Sequence, residues 1–77
     1  MDETIENLLA EVLQIPAATV TDDLAMKDLE AWDSLKHMEL IVALEQSFEL
    51  EFSFDDIVAM QSVGAIKQIL KERKAAN

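Results

Sequence analysis

The sequence has no cysteine and no tyrosine, and it has one residue each of glycine, proline, histidine and tryptophan among its 77. Without cysteine there is no disulfide framework and no thiolate from the chain itself, and small secreted domains commonly need such staples. One histidine and no cysteine leave zinc without a ligand set. Asp22-Asp23 and Asp55-Asp56 are acidic pairs, but neither sits in the spaced pattern of a calcium loop with its central glycine. A single glycine also rules out a glycine-rich phosphate loop. No run of apolar residues is long enough to span a bilayer, and the start, Met1-Asp2-Glu3, lacks the basic region of a signal peptide. These absences point to the cytoplasm and away from catalysis or a metal centre.

Cations are also scarce. Six Lys and Arg face 16 Asp and Glu, giving a net charge of −10. The imbalance lies in residues 1–66, where 15 acids meet only Lys27 and Lys36; residues 67–77 reverse it, with four cations and one acid. Such a surface repels nucleic acid and anionic membrane and speeds encounter with basic proteins.

What remains is rich in helix formers, and 51% of the residues are hydrophobic, enough to fold. At this length the chain reads as a single domain, residues 1–77, with a thin core and no room for a deep cleft. Ile5, Leu8, Leu9, Val12 and Leu13 keep the spacing of one apolar helix face, predicting a first helix from about Glu3 to Leu13 with Asp2 as its cap. Residues 14–33 have no helical period but carry Ile15, Val20, Leu24, Met26, Leu29 and Trp32, which predicts a long packed loop with a turn of helix near Asp23–Met26. A second helix is expected over Ser34–Phe48 behind Asp33. A short third opens at the capping box Ser53-Phe54-Asp55-Asp56, and a last one runs from Val63 to about Lys74 behind Ser62. The expected fold class is all-α: a small four-helix bundle of three main helices and one short one.

The second helix has apolar residues on two sides. With Leu40 at zero on a helical wheel, Leu44, Phe48 and Ile41 fall at about 40°, 80° and 100°, while Met38, Val42 and Leu35 fall at about 160°, 200° and 220°. The first stripe faces the core. The second, bordered by Glu39, Glu45 and Glu49, has the apolar centre and charged rim of a docking surface. Packing beneath the long loop is the other account of it. Ser34 opens this helix, where free N–H groups and the helix dipole suit a phosphate ester, although Asp-Ser is equally a plain helix start. His37, three residues on, falls on the core side at about 60° and reads as a structural histidine, with no acid or oxyanion donor to make Ser34 a catalytic nucleophile.

Leu29-Glu30-Ala31-Trp32-Asp33-Ser34-Leu35 resembles the attachment site of acyl carrier proteins, whose hallmark is Asp-Ser-Leu at the start of helix two. The likeness continues through Met38–Phe48, Asp55-Asp56-Ile57 and Ser62-Val63-Gly64, covering nearly the whole chain. The resemblance implies a 4′-phosphopantetheine, taken from coenzyme A by a phosphopantetheinyl transferase (holo-carrier synthase) and joined to Ser34. Its terminal thiol would carry acyl groups as thioesters for fatty-acid, lipid or polyketide assembly, and the chain itself would catalyse nothing. It further implies a monomer that docks basic patches on acyl-loading and acyl-processing enzymes. Leu35, Met38 and Val42 match the family's apolar contacts, and Asp33, Glu39 and Glu45 match its acidic ones. Ile41, Leu44, Phe48, Ile57 and Ile66 are candidates to line stored cargo. Ala31-Trp32 replaces the Gly-Ala usual in primary fatty-acid carriers, and Lys36 and Gln46 stand where acids are usual, which points to a stand-alone carrier of a specialised pathway. An aminoacyl or peptidyl carrier and an unmodified acidic adaptor are the competing readings.

Overall fold

In the computed structural model, which describes residues 2–76, four helices follow one another: α1 (Asp2–Leu13), α2 (Ser34–Phe48), α3 (Phe54–Ala59) and α4 (Val63–Ala76). The all-α expectation holds, with three main helices and one short one. The first helix begins at Asp2 itself, so this residue is the first of the helix and not the cap expected ahead of it.

The core is built by one face of each long helix. Leu9 and Leu13 of α1, Leu40, Ile41 and Leu44 of α2, and Val63, Ile66 and Leu70 of α4 are buried together with Met60. Helices α1 and α2 end alike, and without glycine. Gln14 and Glu49 take the left-handed conformation at φ 58° and 54°, and the next amide reaches back five residues, Ile15 to Ala10 and Leu50 to Glu45. Each closure is followed by an apolar residue, Ile15 or Leu50, turned back toward the core.

The long connection between α1 and α2 is folded onto the body. Val20 and Trp32 are buried, and Ile15, Leu24, Met26 and Leu29 pack against the core. Its local structure differs from the sequence expectation. Instead of one helical turn near Asp23–Met26 there are two short 3-10 turns, Ala17–Thr19 and Met26–Asp28. Between them the chain turns at residues 22–23, Leu24 N–H meeting the Thr21 carbonyl at 3.0 Å, and Ala25 then pairs with Ser62 through flanking backbone bonds: Met26 N–H to the Gln61 carbonyl at 2.8 Å, and Val63 N–H to the Leu24 carbonyl at 2.9 Å. Gly64 N–H also meets the Asp22 carbonyl at 2.8 Å. These loop carbonyls satisfy first-turn donors of α4 that a helix cannot pair internally. A side chain at Gly64 would set its Cβ 3.1 Å from that same carbonyl, so the glycine permits the close approach.

The caps predicted at Asp33, Ser53 and Ser62 form. Asp33 accepts from Lys36 N–H at 2.9 Å, Ser62 from Ala65 N–H at 3.1 Å, and Ser53 and Asp56 exchange the two bonds of a capping box. Helix α3, at six residues, is too short to stand alone. Asp56 is buried and its carboxylate receives Arg73 of α4 at two points, 2.9 and 2.6 Å. Arg73 first, and the Ser53 bonds after it, hold the Asp56 carboxyl at about 2, against the desolvation that opposes them. Nearer the start of α4, Lys67 bridges Asp22 at 2.6 Å and Glu6 at 2.9 Å, and both bonds push its ammonium above the usual lysine range.

Candidate functional site

The start of α2 brings most of the candidate residues together. Ser34 is the first helical residue, exposed, and its hydroxyl has no hydrogen-bond partner among the described residues. The first regular helical bond runs from His37 N–H to the Asp33 carbonyl, and of the earlier amides the Asp33 carboxylate takes that of Lys36. Those of Ser34 and Leu35 lie on the exposed turn. An ester at Ser34 would therefore stand in solvent at the positive end of the helix dipole. A long flexible phosphodiester needs such an exposed place.

The second stripe of α2 faces out. Leu35 is 70% exposed, and Met38 and Val42 are about half exposed, at 49% and 48%. It does not pack under the long loop. The three matching acids have different employments. Glu39 is exposed, with Lys36 3.5 Å away. The Asp33 carboxylate is engaged in the helix cap. Glu45 is only partly exposed, and its Oε2 accepts the Phe52 N–H at 3.0 Å, which fixes the extended segment ahead of α3. Glu39 is thus the acid of this set that holds no backbone group.

Two features of the region have no counterpart in the helical periodicity. Phe54 and Val58, one turn apart on α3, are 77% and 49% exposed. The second feature is internal. His37 is buried, receives the indole N–H of Trp32 at Nδ1, 3.0 Å away, and approaches the Ile57 carbonyl with Nε2 at 2.9 Å. A carbonyl only accepts and an indole N–H only donates, so Nε2 is the donor of the ring and Nδ1 its acceptor. His37 is structural, as its wheel position predicts, and buried to a greater degree than that position implies. The Trp32 partner lies in the aperiodic loop, where no spacing rule reaches.

Of the residues proposed to line cargo, Ile41, Leu44 and Ile66 are buried in the core, and Ile57 and Phe48 pack against it. Phe48 also borders an open groove of about 580 Å³ with Ile5, Leu70, Lys67 and Lys71, and Lys74 lies 5.3 Å above its ring. Among the described residues no group of three or more possible metal ligands occurs, and no helix is long and apolar enough to cross a membrane.

The family model described as a phosphopantetheine attachment site matches residues 3–70. Acyl carrier proteins from two strains of Helicobacter pylori are each 37% identical over 75 residues, covering 96% of this chain and 95% of theirs. In fold, the chain is similar to the solution structure of a holo acyl carrier protein from Geobacter metallireducens, with a TM-score of 0.86 at 25% identity over 97% of this chain and 86% of that one.

Proposed function

We propose that this chain, which belongs to the phosphopantetheine-bearing acyl carrier protein family, holds acyl intermediates as thioesters on an arm joined to Ser34. The family fixes the coarse terms: the chain is a carrier and not a catalyst, and its cofactor is a covalently attached phosphopantetheine. The observation that carries the assignment to Ser34 is its position, a free and exposed hydroxyl on the first residue of α2, directly behind the cap Asp33. When bound, the arm supplies the thiol that a chain without cysteine lacks.

The protein's own residues do the rest. Asp33 holds the first turn open and fixed, so Ser34 meets a phosphopantetheinyl transferase in one conformation. Leu35, Met38 and Val42 form the apolar centre against which the transferase and the acyl-loading and acyl-processing enzymes dock. Glu39 supplies the adjacent charge for their basic patches, while Asp33 and Glu45 act there chiefly through the backbone they hold. Each exposed ion pair at such a face is worth about 0.2–1 kcal/mol, which suits a shuttle that must let go. We place the carrier in fatty-acid, lipid or polyketide assembly, as a cytoplasmic monomer whose single domain is residues 1–77. The Ala31-Trp32 pair before Asp33-Ser34-Leu35 favours a specialised pathway over housekeeping fatty-acid synthesis.

The test is intact-protein mass spectrometry after incubation with coenzyme A and a broad-specificity transferase, beside Ser34→Ala. The expected result is a gain of one phosphopantetheine, absent from the variant. A folded wild-type protein that several transferases leave unmodified would return the chain to the acidic-adaptor reading. Loading of the modified protein by amino-acid ligases alone would make it an aminoacyl carrier.

A further inference from the structure

The imidazole of His37 takes no part in the chemistry above, yet it joins three segments around Ser34. We infer that His37 is a positioning residue for modification at Ser34: clamped between the Trp32 indole and the Ile57 carbonyl, it fixes the backbone that enters Ser34. The inference rests on the reading of Ser34 as the attachment residue.

Trp32 is 1% exposed, so its indole N–H has no access to water and needs an acceptor in the interior. His37 Nδ1 supplies it at 3.0 Å, with the two ring centroids 6.0 Å apart. The indole is one residue before the cap Asp33 and two before Ser34. Its main chain is tied as well, Trp32 N–H to the Leu29 carbonyl at 3.0 Å. Side chain and main chain together leave the Trp32–Asp33 peptide little freedom, and Asp33 then aligns the Lys36 and His37 amides. The far edge of the same ring donates to Ile57 of α3. The Ile57 carbonyl has a second donor, Met60 N–H at 3.3 Å, whereas the Trp32 indole N–H has no other acceptor among the described residues. Losing His37 therefore falls on the Trp32 side, and so on the approach to Ser34. A rigid ring with an acceptor on one edge and a donor on the other is what this bridge requires, and histidine provides it.

The measurement is steady-state transfer of phosphopantetheine from coenzyme A onto the full chain by a phosphopantetheinyl transferase. Wild type is compared with Trp32→Phe, His37→Leu, the double variant and His37→Gln, each at a temperature where circular dichroism shows it folded. Displacing a reacting group through a remote change costs on the order of tenfold to a hundredfold. The expected outcome is a fall in kcat of at least about tenfold for each single variant, with KM within about twofold because Leu35, Met38 and Val42 are untouched. The double variant is expected to be no worse than either single one, and His37→Gln, which keeps a donor and an acceptor, to recover part of the loss. Should His37→Leu fail to fold, Trp32→Phe carries the test, since it deletes the donor and keeps an aromatic ring, and the core volume it gives up is controlled by comparing only folded protein. Single variants that keep the wild-type kcat, or losses that merely follow the unfolded fraction, overturn the inference and leave Ser34 as the attachment residue. A wild-type protein that no transferase modifies removes the Ser34 reading and this inference together.

Discussion

Protonating or neutralising Asp56 should loosen α3 from α4, and the cost follows from its surroundings. The carboxylate is 10% exposed, takes two bonds from Arg73 and one from the Ser53 N–H, and is held at about 2 against an ordinary 3.8. A carboxyl whose folded value is depressed stabilises the fold above its unfolded value and loses that stabilisation as pH falls through the folded one. A shift of this size corresponds to about 2 kcal/mol at neutral pH, an upper figure because water reaches Arg73. About half should remain at pH 3, and a few tenths of a kcal/mol at pH 2. Urea unfolding of wild type and Asp56→Asn at pH 7, 5, 3 and 2 isolates this group from the other acids, which titrate in both proteins. The gap between the two should be about 2 kcal/mol at pH 7 and 5 and close between pH 4 and 2. A gap that stays constant down to pH 2, or none at pH 7, would refute the assignment of the clamp to Asp56.

The two faces of α2 should answer differently to truncation. Leu44→Ala, at a fully buried position, is expected to cost about 2–5 kcal/mol, and Val42→Ala, half exposed, less than about 1 kcal/mol. Equal losses in denaturant melts would undo the distinction between buried and exposed stripes. Lys67→Ala should cost about 1 kcal/mol through lost contacts with Glu6 and Asp22, and the loss should shrink in 1 M salt if it is electrostatic. Because the folded ammonium is raised, this contribution is present at neutral pH and fades only as pH climbs beyond the ordinary lysine range.

Most of the architecture was legible because it is written locally. Asp33, Ser53 and Ser62 sit where helix starts demand an acceptor, and the wheel positions of Leu40, Leu44, Leu35 and Val42 decide inside from outside without reference to any other element. The loop between α1 and α2 resisted because its conformation is set by partners some 40 residues away, the Gln61 carbonyl and the Val63 and Gly64 amides, which no period in residues 14–33 encodes. Glu45 shows the same limit at the site. Its place on the wheel suggests a docking acid, but the Phe52 amide that occupies it lies beyond the helix. The Trp32–His37 bond joins a helix to an aperiodic segment, and either residue alone reads only as an apolar anchor or a structural histidine. The resemblance supplied what periodicity could not, the reason to prefer Ser34 as an attachment point over an ordinary helix start.

Trp32 has one more consequence, and it is optical. It is the sole tryptophan in a chain without tyrosine, so nearly all near-ultraviolet emission comes from a single indole. That indole is sealed from water and stands two residues from Ser34. The protein thus carries an unlabelled fluorophore beside the residue proposed for modification. Its emission should be blue-shifted in the folded chain and should move to the red as soon as the segment leading into Ser34 opens, whether or not the remaining helices have yet let go.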